Sequence, residues 1–254
     1  TNWTLGMDSN AAIAYFEARE KQYSDHAHAD LGTFQIYYKG YLAINGGSYG
    51  GTTGGWGTNH FKNYSIRTIS HNGMTVFDNN ETTWGSTLAN DGGQKLSEDI
   101  YLLEEYMAKE DEAKTEAWYI GPNEETPEFS FIKTNLTNAY GGGKVTNHER
   151  SMVFMDLNND DYPAAVVVFD DITSSNKAFS KKWIMNMVFE PEISGDTTTV
   201  IRNDNGYNGK LVNKTLLPTE HSITAVGGEG KESFVNGVNY PNADRPNTDS
   251  EQGS

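Results

Sequence analysis

Cysteine is absent from the 254 residues. That excludes disulfides, thiolate zinc clusters and cysteine nucleophiles, but it leaves the compartment open. No apolar run approaches the length needed to span a bilayer as a helix, and the first residues lack a charged region followed by an apolar core. Positive charge is scarce: 19 Lys and Arg stand against 35 Asp and Glu, for a net charge of −16. This argues against a general binder of nucleic acid or anionic membrane. Hydrophobic residues make up only 36% of the chain, yet 14 Tyr, 11 Phe and 5 Trp can still supply a sizeable core.

What is abundant points to β structure. Glycine, asparagine and threonine account for 75 of the 254 residues; Gly and Asn favour turns and Thr favours strands. Strands are expected at 11–17, 34–38, 41–44, 66–70, 74–77, 129–133, 151–156, 164–169, 182–189, 198–202 and 222–226, each short, aromatic or β-branched and bounded by turn residues. Lys39-Gly40 reads as a hairpin turn. Asn72-Gly73 suits a tight turn between 66–70 and 74–77. The apolar run Ala164–Phe169 is expected to be buried on both faces. Long antiparallel strands in two layers follow: an all-β sandwich with little helix. Residues 104–128 carry nine acids against Lys109 and Lys114. Within them 104–118 is the best helix candidate, with a solvated excursion between strands as the favoured alternative. The domain is expected to span residues 1–240. Residues 241–254 form a polar segment without a closing strand, so the sequence is expected to be a fragment.

The six histidines, at 26, 28, 60, 71, 148 and 221, hold the chemistry. If Asp25–Asp30 is a strand, His26, His28 and Asp30 project from one face while Ala27 and Ala29 point the other way. Two imidazoles and a carboxylate on one face are costly to bury unless they bind a metal, a substrate or each other. From His26 to Phe77 the chain holds Lys39, Lys62 and Arg67 against Asp30 alone, a local excess of positive charge suited to an anionic ligand. Tyr49, His60 and Tyr64 lie on or beside a connection with seven glycines between Gly46 and Gly57. Such loops often line sugar clefts, so these three are candidate substrate contacts, against the alternative that the tyrosines are core aromatics. His148, before Glu149-Arg150, reads as an ion-paired edge residue, and His221 as exposed.

Three segments carry a resemblance: His26–Phe34 (HAHADLGTF), Tyr41–Tyr49 (YLAINGGSY) and Ser70–Val76 (SHNGMTV). In that order they resemble the heparinase II/III-like polysaccharide lyases, whose pattern is H-x-H-x-D-x-x-S-F, a strand ending D-x-G-x-Y, and an H-N-T-V-like turn. Looser matches at Phe129–Tyr140, His148-Glu149-Arg150, Leu216-Leu217-Pro218 and Val226-Gly227-Gly228 extend the likeness from about Gly6 to Tyr240.

The resemblance implies a large sandwich (a super-sandwich) that follows an N-terminal helical toroid, here absent, in a bacterial periplasmic or secreted enzyme. That enzyme cleaves uronate-containing polysaccharides by β-elimination. By position His26 is implied to be catalytic, contacting the substrate carboxylate or moving a proton. His28, Asn45 and His71 match the family's zinc ligands, with Asp30 as a residue that orients a ligating histidine. Asn45 departs from the pattern, which has aspartate there; a neutral amide is a weaker zinc ligand, so one zinc ion or a hydrogen-bonded substitute for it remain alternatives. The implied partners are an acidic polysaccharide and the chain's own helical domain. A non-catalytic carbohydrate-binding or scaffolding sandwich is the alternative function.

Two further motifs are set aside. Asp156-x-Asn158-x-Asp160 lacks the Gly and Glu of a calcium loop and reads as a polar hairpin turn. Gly141–Lys144 lacks the phosphate-loop spacing.

Overall fold

The computed structural model describes residues 9–23, 27–82, 88–96 and 100–244. Fourteen strands are found among them: β1 (Ile13–Phe16), β2 (Phe34–Tyr37), β3 (Tyr41–Ala43), β4 (Met74–Phe77), β5 (Lys114–Gly121), β6 (Phe129–Asn135), β7 (Val145–Asp156), β8 (Ala164–Ser174), β9 (Ser180–Trp183), β10 (Glu192–Ser194), β11 (Thr197–Arg202), β12 (Gly209–Lys214), β13 (Phe234–Val235) and β14 (Val238–Asn239). Every pairing is antiparallel. The sheets are β1-β2-β3, β4-β9, the meander β5-β6-β7-β8, β10-β11-β12 and β13-β14. Helix is confined to turns of at most six residues among the described residues.

The sandwich arises where the meander lays one face on β1-β2-β3. Ile132, Met152, Val166 and Val168 pack with Phe34, Ile36, Ala43 and Phe16, and each fully buried apolar side chain contributes about 1.5–3 kcal/mol. A second cluster (Leu31, Val76, Leu136, Ala139, Tyr140 and Val145) lies beside it. Along β7 the same face continues from Met152 through Arg150 to His148, all buried. The inner face therefore passes from apolar to charged as it nears the loops that carry the histidines.

Several expectations are corrected. β8 alternates, with Val167 46% and Phe169 53% exposed, because only one face of the meander is packed, so 164–169 is not buried on both sides. Residues 66–70 form no strand: β4 pairs with β9, and the segment closes its own turns through Ser70 N–H to Arg67 O and His71 N–H to Thr68 O. Asn72-Gly73 is accordingly no hairpin turn. The helix candidate at 104–118 shrinks to Leu103–Ala108, and β5 follows it. β5 is the edge of the meander and is exposed on both faces over most of its length, so it has no apolar alternation to read, and its Lys and Glu guard the edge. The strand expected at 182–189 ends at Trp183, and none forms at 222–226. His148 is not at an edge. It is 1% exposed on β7, paired through Nε2 with Asp170 at 2.8 Å. The Asp156–Asp160 segment is the expected polar turn, joining β7 to β8 with Asn158 at φ 47.

Candidate metal centre

The segment carrying His28 and Asp30 is not a strand; it is pinned residue by residue. Ala29, fully buried, donates its N–H to Ile66 O at 2.8 Å and accepts from Thr68 Oγ1 at 2.6 Å. Leu31 exchanges two hydrogen bonds with the buried Gln94 amide, at 2.9 and 2.7 Å. His28 and Asp30 thus flank a buried alanine, and their side chains converge because the backbone between them is held inward.

His71 comes from the other side. A short 3₁₀ turn at Thr68–Ser70 delivers it, and a fully buried pair, Arg67 Nη2 to Asp91 Oδ1 at 2.7 Å, fixes that turn from behind. Asp91 also accepts the Ile69 N–H at 3.2 Å. The His71 Nδ1 lies 2.7 Å from Arg67 O. A carbonyl only accepts, so Nδ1 carries the proton and Nε2 presents its lone pair. That Nε2 sits 3.0 Å from His28 Nδ1 and 3.8 Å from Asp30 Oδ2. One donor atom from each of His28, Asp30 and His71 falls within 4.8 Å of the others.

The electrostatics suit a cation. Burial pushes the His71 imidazole down to about 4, which keeps it neutral. Burial also pushes the Asp30 carboxyl up to about 6, against the pull of the Arg19 guanidinium that contacts it. A carboxylate held reluctantly beside two imidazole nitrogens would gain from a metal ion. Tetrahedral zinc with nitrogen ligands places two donor nitrogens about 3.3 Å apart, close to the separation between His28 and His71. The sulfur-free donor set, two imidazoles and one carboxylate, is a common zinc combination.

Asn45 lies alongside. Gly46 N–H donates to Ser70 O at 2.6 Å and Ile44 O accepts from Asn72 Nδ2 at 3.0 Å, so the residues on either side of Asn45 bond to the residues on either side of His71. Gly46 is needed for this approach: a Cβ there would lie 2.8 Å from the Tyr64 hydroxyl. The Asn45 Oδ1 is buried and has no hydrogen-bond partner. It is an orphaned acceptor close in the chain's hydrogen bonding to a group that could hold a cation.

The other sequence candidates fall in different places. His26 lies outside the described residues. Tyr49 is 51% exposed and meets Phe61 edge-on. His60 is buried, with Nδ1 2.7 Å from Tyr240 O and Nε2 accepting the Ser48 N–H at 3.1 Å. Tyr64 is buried too, and burial raises its hydroxyl pKa well above the ordinary value. His60 and Tyr64 thus expose almost nothing in this arrangement. Asn242 and Asp244, beyond the expected domain end, bind the glycine-rich connection: Asn242 Nδ2 donates to Ser48 Oγ at 3.0 Å, and Asp244 Oδ2 accepts from Thr53 N at 2.6 Å. Sequence reasoning did not single out Arg19, Gln94 or Asp91, since each reaches the site from a distant segment and none carries a local motif.

The family model for the heparinase II/III-like C-terminal domain matches residues 16–252. The chain belongs to that family. No curated protein matches it in sequence. Membership accounts for the antiparallel fold and agrees with the resemblance carried by His26–Phe34, Tyr41–Tyr49 and Ser70–Val76. One expectation changes: Asp30, expected to orient a ligating histidine, stands within the converging group itself.

Proposed function

We propose that the chain is the sandwich part of a bacterial polysaccharide lyase that cleaves uronate-containing glycans by β-elimination. The observation that carries this reading is the convergence of His28, Asp30 and His71 in a chain of this family. In the reaction a base removes the C5 proton, the C4–O bond breaks, a C4–C5 double bond forms, and the departing oxygen takes up a proton. The uronate carboxylate must be neutralised for the C5 proton to be acidic enough. His26 is the residue of this chain proposed to contact that carboxylate or to move a proton, and Tyr49 offers an exposed ring to a sugar.

The ion is proposed to be zinc, held by His28, Asp30 and His71, with Asn45 beside it; when bound, it supplies a fixed positive charge that locks these segments together. His71 keeps its proton on Nδ1, bonded to Arg67 O, so that Nε2 remains a donor to the metal. The rest of the cleft belongs to an N-terminal helical domain. A polymeric substrate of this kind, which cannot cross a membrane, supports a periplasmic or extracellular location.

One observation favours the non-catalytic alternative: His60 and Tyr64, two of the three residues expected to touch sugar, are buried. Incubating the full-length protein with heparan sulfate, chondroitin, alginate and ulvan separates the readings. Ultraviolet absorbance from an unsaturated uronate product supports the lyase. Binding without product on any of the four supports the carbohydrate-binding module.

A further inference from the structure

Arg150 is fully buried on the inner face of β7. Its Nε and Nη2 grip Asp170 of β8 side-on, at 2.7 Å to Oδ1 and 2.9 Å to Oδ2. His148, two residues away on the same face, adds a third bond to Asp170. That leaves Nη1 aimed away from the sheet, where it meets two carbonyls, Gly32 O at 2.8 Å and Asn72 O at 3.0 Å. Asn72 follows His71 directly. Gly32 lies in a tight turn closed by Thr33 N–H to Asp30 O at 2.9 Å, made possible by its φ of +76. One nitrogen of one side chain therefore ties together the two segments that supply the converging donors. The Asn72 N–H, bonded to Thr33 Oγ1 at 3.1 Å, repeats the link one residue along.

Stability alone is a poor reason for this arrangement. A buried guanidinium and carboxylate pay heavily in desolvation, and apolar residues of similar size often serve as well. What apolar residues cannot supply is a planar fork that holds a carboxylate with one edge and two carbonyls with the other.

We propose that Arg150, held by Asp170 and His148, is a positioning residue that sets the spacing between the His28–Asp30 segment and His71, and with it the donor geometry of the metal centre. The consequence for metal rests on the centre proposed above; the effect on the histidine pair does not.

The test uses the full chain labelled with ¹⁵N at histidine. Without metal, long-range proton–nitrogen spectra read the His71 tautomer and its contact with His28; cobalt(II) titration then reads affinity and the ligand-field spectrum. In Arg150→Lys, which keeps the charge but not the fork, His71 should lose its single Nδ1–H signature, and cobalt should bind about tenfold more weakly or worse. Val200→Ala, in a core cluster that includes none of His28, Asp30, His71 or Arg150, should match the parent in both. His148→Gln should shift both readouts in the same direction but less, and it decides the matter if Arg150→Lys does not fold. Parental histidine signals and cobalt affinity in a folded Arg150→Lys, or in His148→Gln should that be the only one to fold, would overturn the proposal. A parent chain that ignores cobalt refutes the metal centre alone, and the histidine signals still decide the role of Arg150.

Discussion

His28 Nδ1 and His71 Nε2 lie 3.0 Å apart, with the rings edge to face. Because His71 already spends its proton on Arg67 O, the contact in the metal-free chain is a hydrogen bond from His28. For His28 and His71 to hold a metal ion together, the His28 proton would have to move from Nδ1 so that both facing nitrogens offer lone pairs. Zinc at a hundred times its dissociation constant should then stabilise the fold by about 2.7 kcal/mol, a rise of about 5–10 °C in melting temperature for a chain of this size. A chelator should reverse the rise, and His71→Ala should abolish it. A thermal scan of parent and variant, each with and without zinc, checks this.

Asn45 gives a prediction of opposite signs. Its buried Oδ1 has no partner, and Asn45→Asp would put a charge in the same place. Without metal that charge is buried with no hydrogen-bond partner to receive it, so the variant should melt below the parent. With zinc it gains a second anionic ligand and should melt above the zinc-loaded parent. If zinc fails to reverse the order of the two melting temperatures, Asn45 is not near the ion.

How far the sequence reveals this molecule depends on whether the cause is local. β2, β3 and β4 announce themselves through aromatic and β-branched residues between turn signals, because each packs into the core. β5 does not, since its neighbours supply the pairing and solvent takes both its faces. His28 and His71 are legible through their family pattern. The placement of Asp30 among the donors is not, because 28–30 is shaped by Ile66, Thr68 and Gln94 rather than by strand alternation. His148 and Arg150 stand in a recognisable triplet, but only the register of β7 on β8 brings Asp170 opposite Arg150. That register is a property of the assembled sheet.

The buried His148 should leave a mark on stability against pH. Its Nε2 bonds Asp170, and its Nδ1 is buried without a hydrogen-bond partner, so protonation would place an unsatisfied N–H in the interior. Burial accordingly lowers the pKa of this imidazole, against the pull of Asp170. Folding therefore releases a proton where the unfolded histidine still binds one. The stability from this group is complete above the unfolded value, about 6.5, and is lost as pH falls through the folded value. His148→Gln keeps a donor for Asp170 but cannot titrate. Urea unfolding at pH 7.5 and pH 5 should show the parent losing more stability than the variant over that interval. Equal losses would mean that folding leaves the His148 pKa unchanged, and a smaller loss in the parent that the imidazole is held charged in the fold.

The two histidines of the H-x-H pair should fail in different ways. His28 faces His71; removing it leaves the His71 Nε2 buried and unpaired, at a cost of about 1–3 kcal/mol, and removes a metal ligand as well. His26 is assigned by resemblance to the open cleft, where it would contact a uronate carboxylate or shuttle a proton. Its loss should therefore reduce turnover and leave the fold alone. In the full-length enzyme, His26→Ala should melt near the parent temperature with sharply reduced cleavage. His28→Ala should melt lower and bind less metal by elemental analysis. Equal melting shifts in the two variants, or normal cleavage by His26→Ala, would reverse the assignment. Full metal content in His28→Ala would move the centre away from His71, whose Nε2 lone pair would then need a different partner.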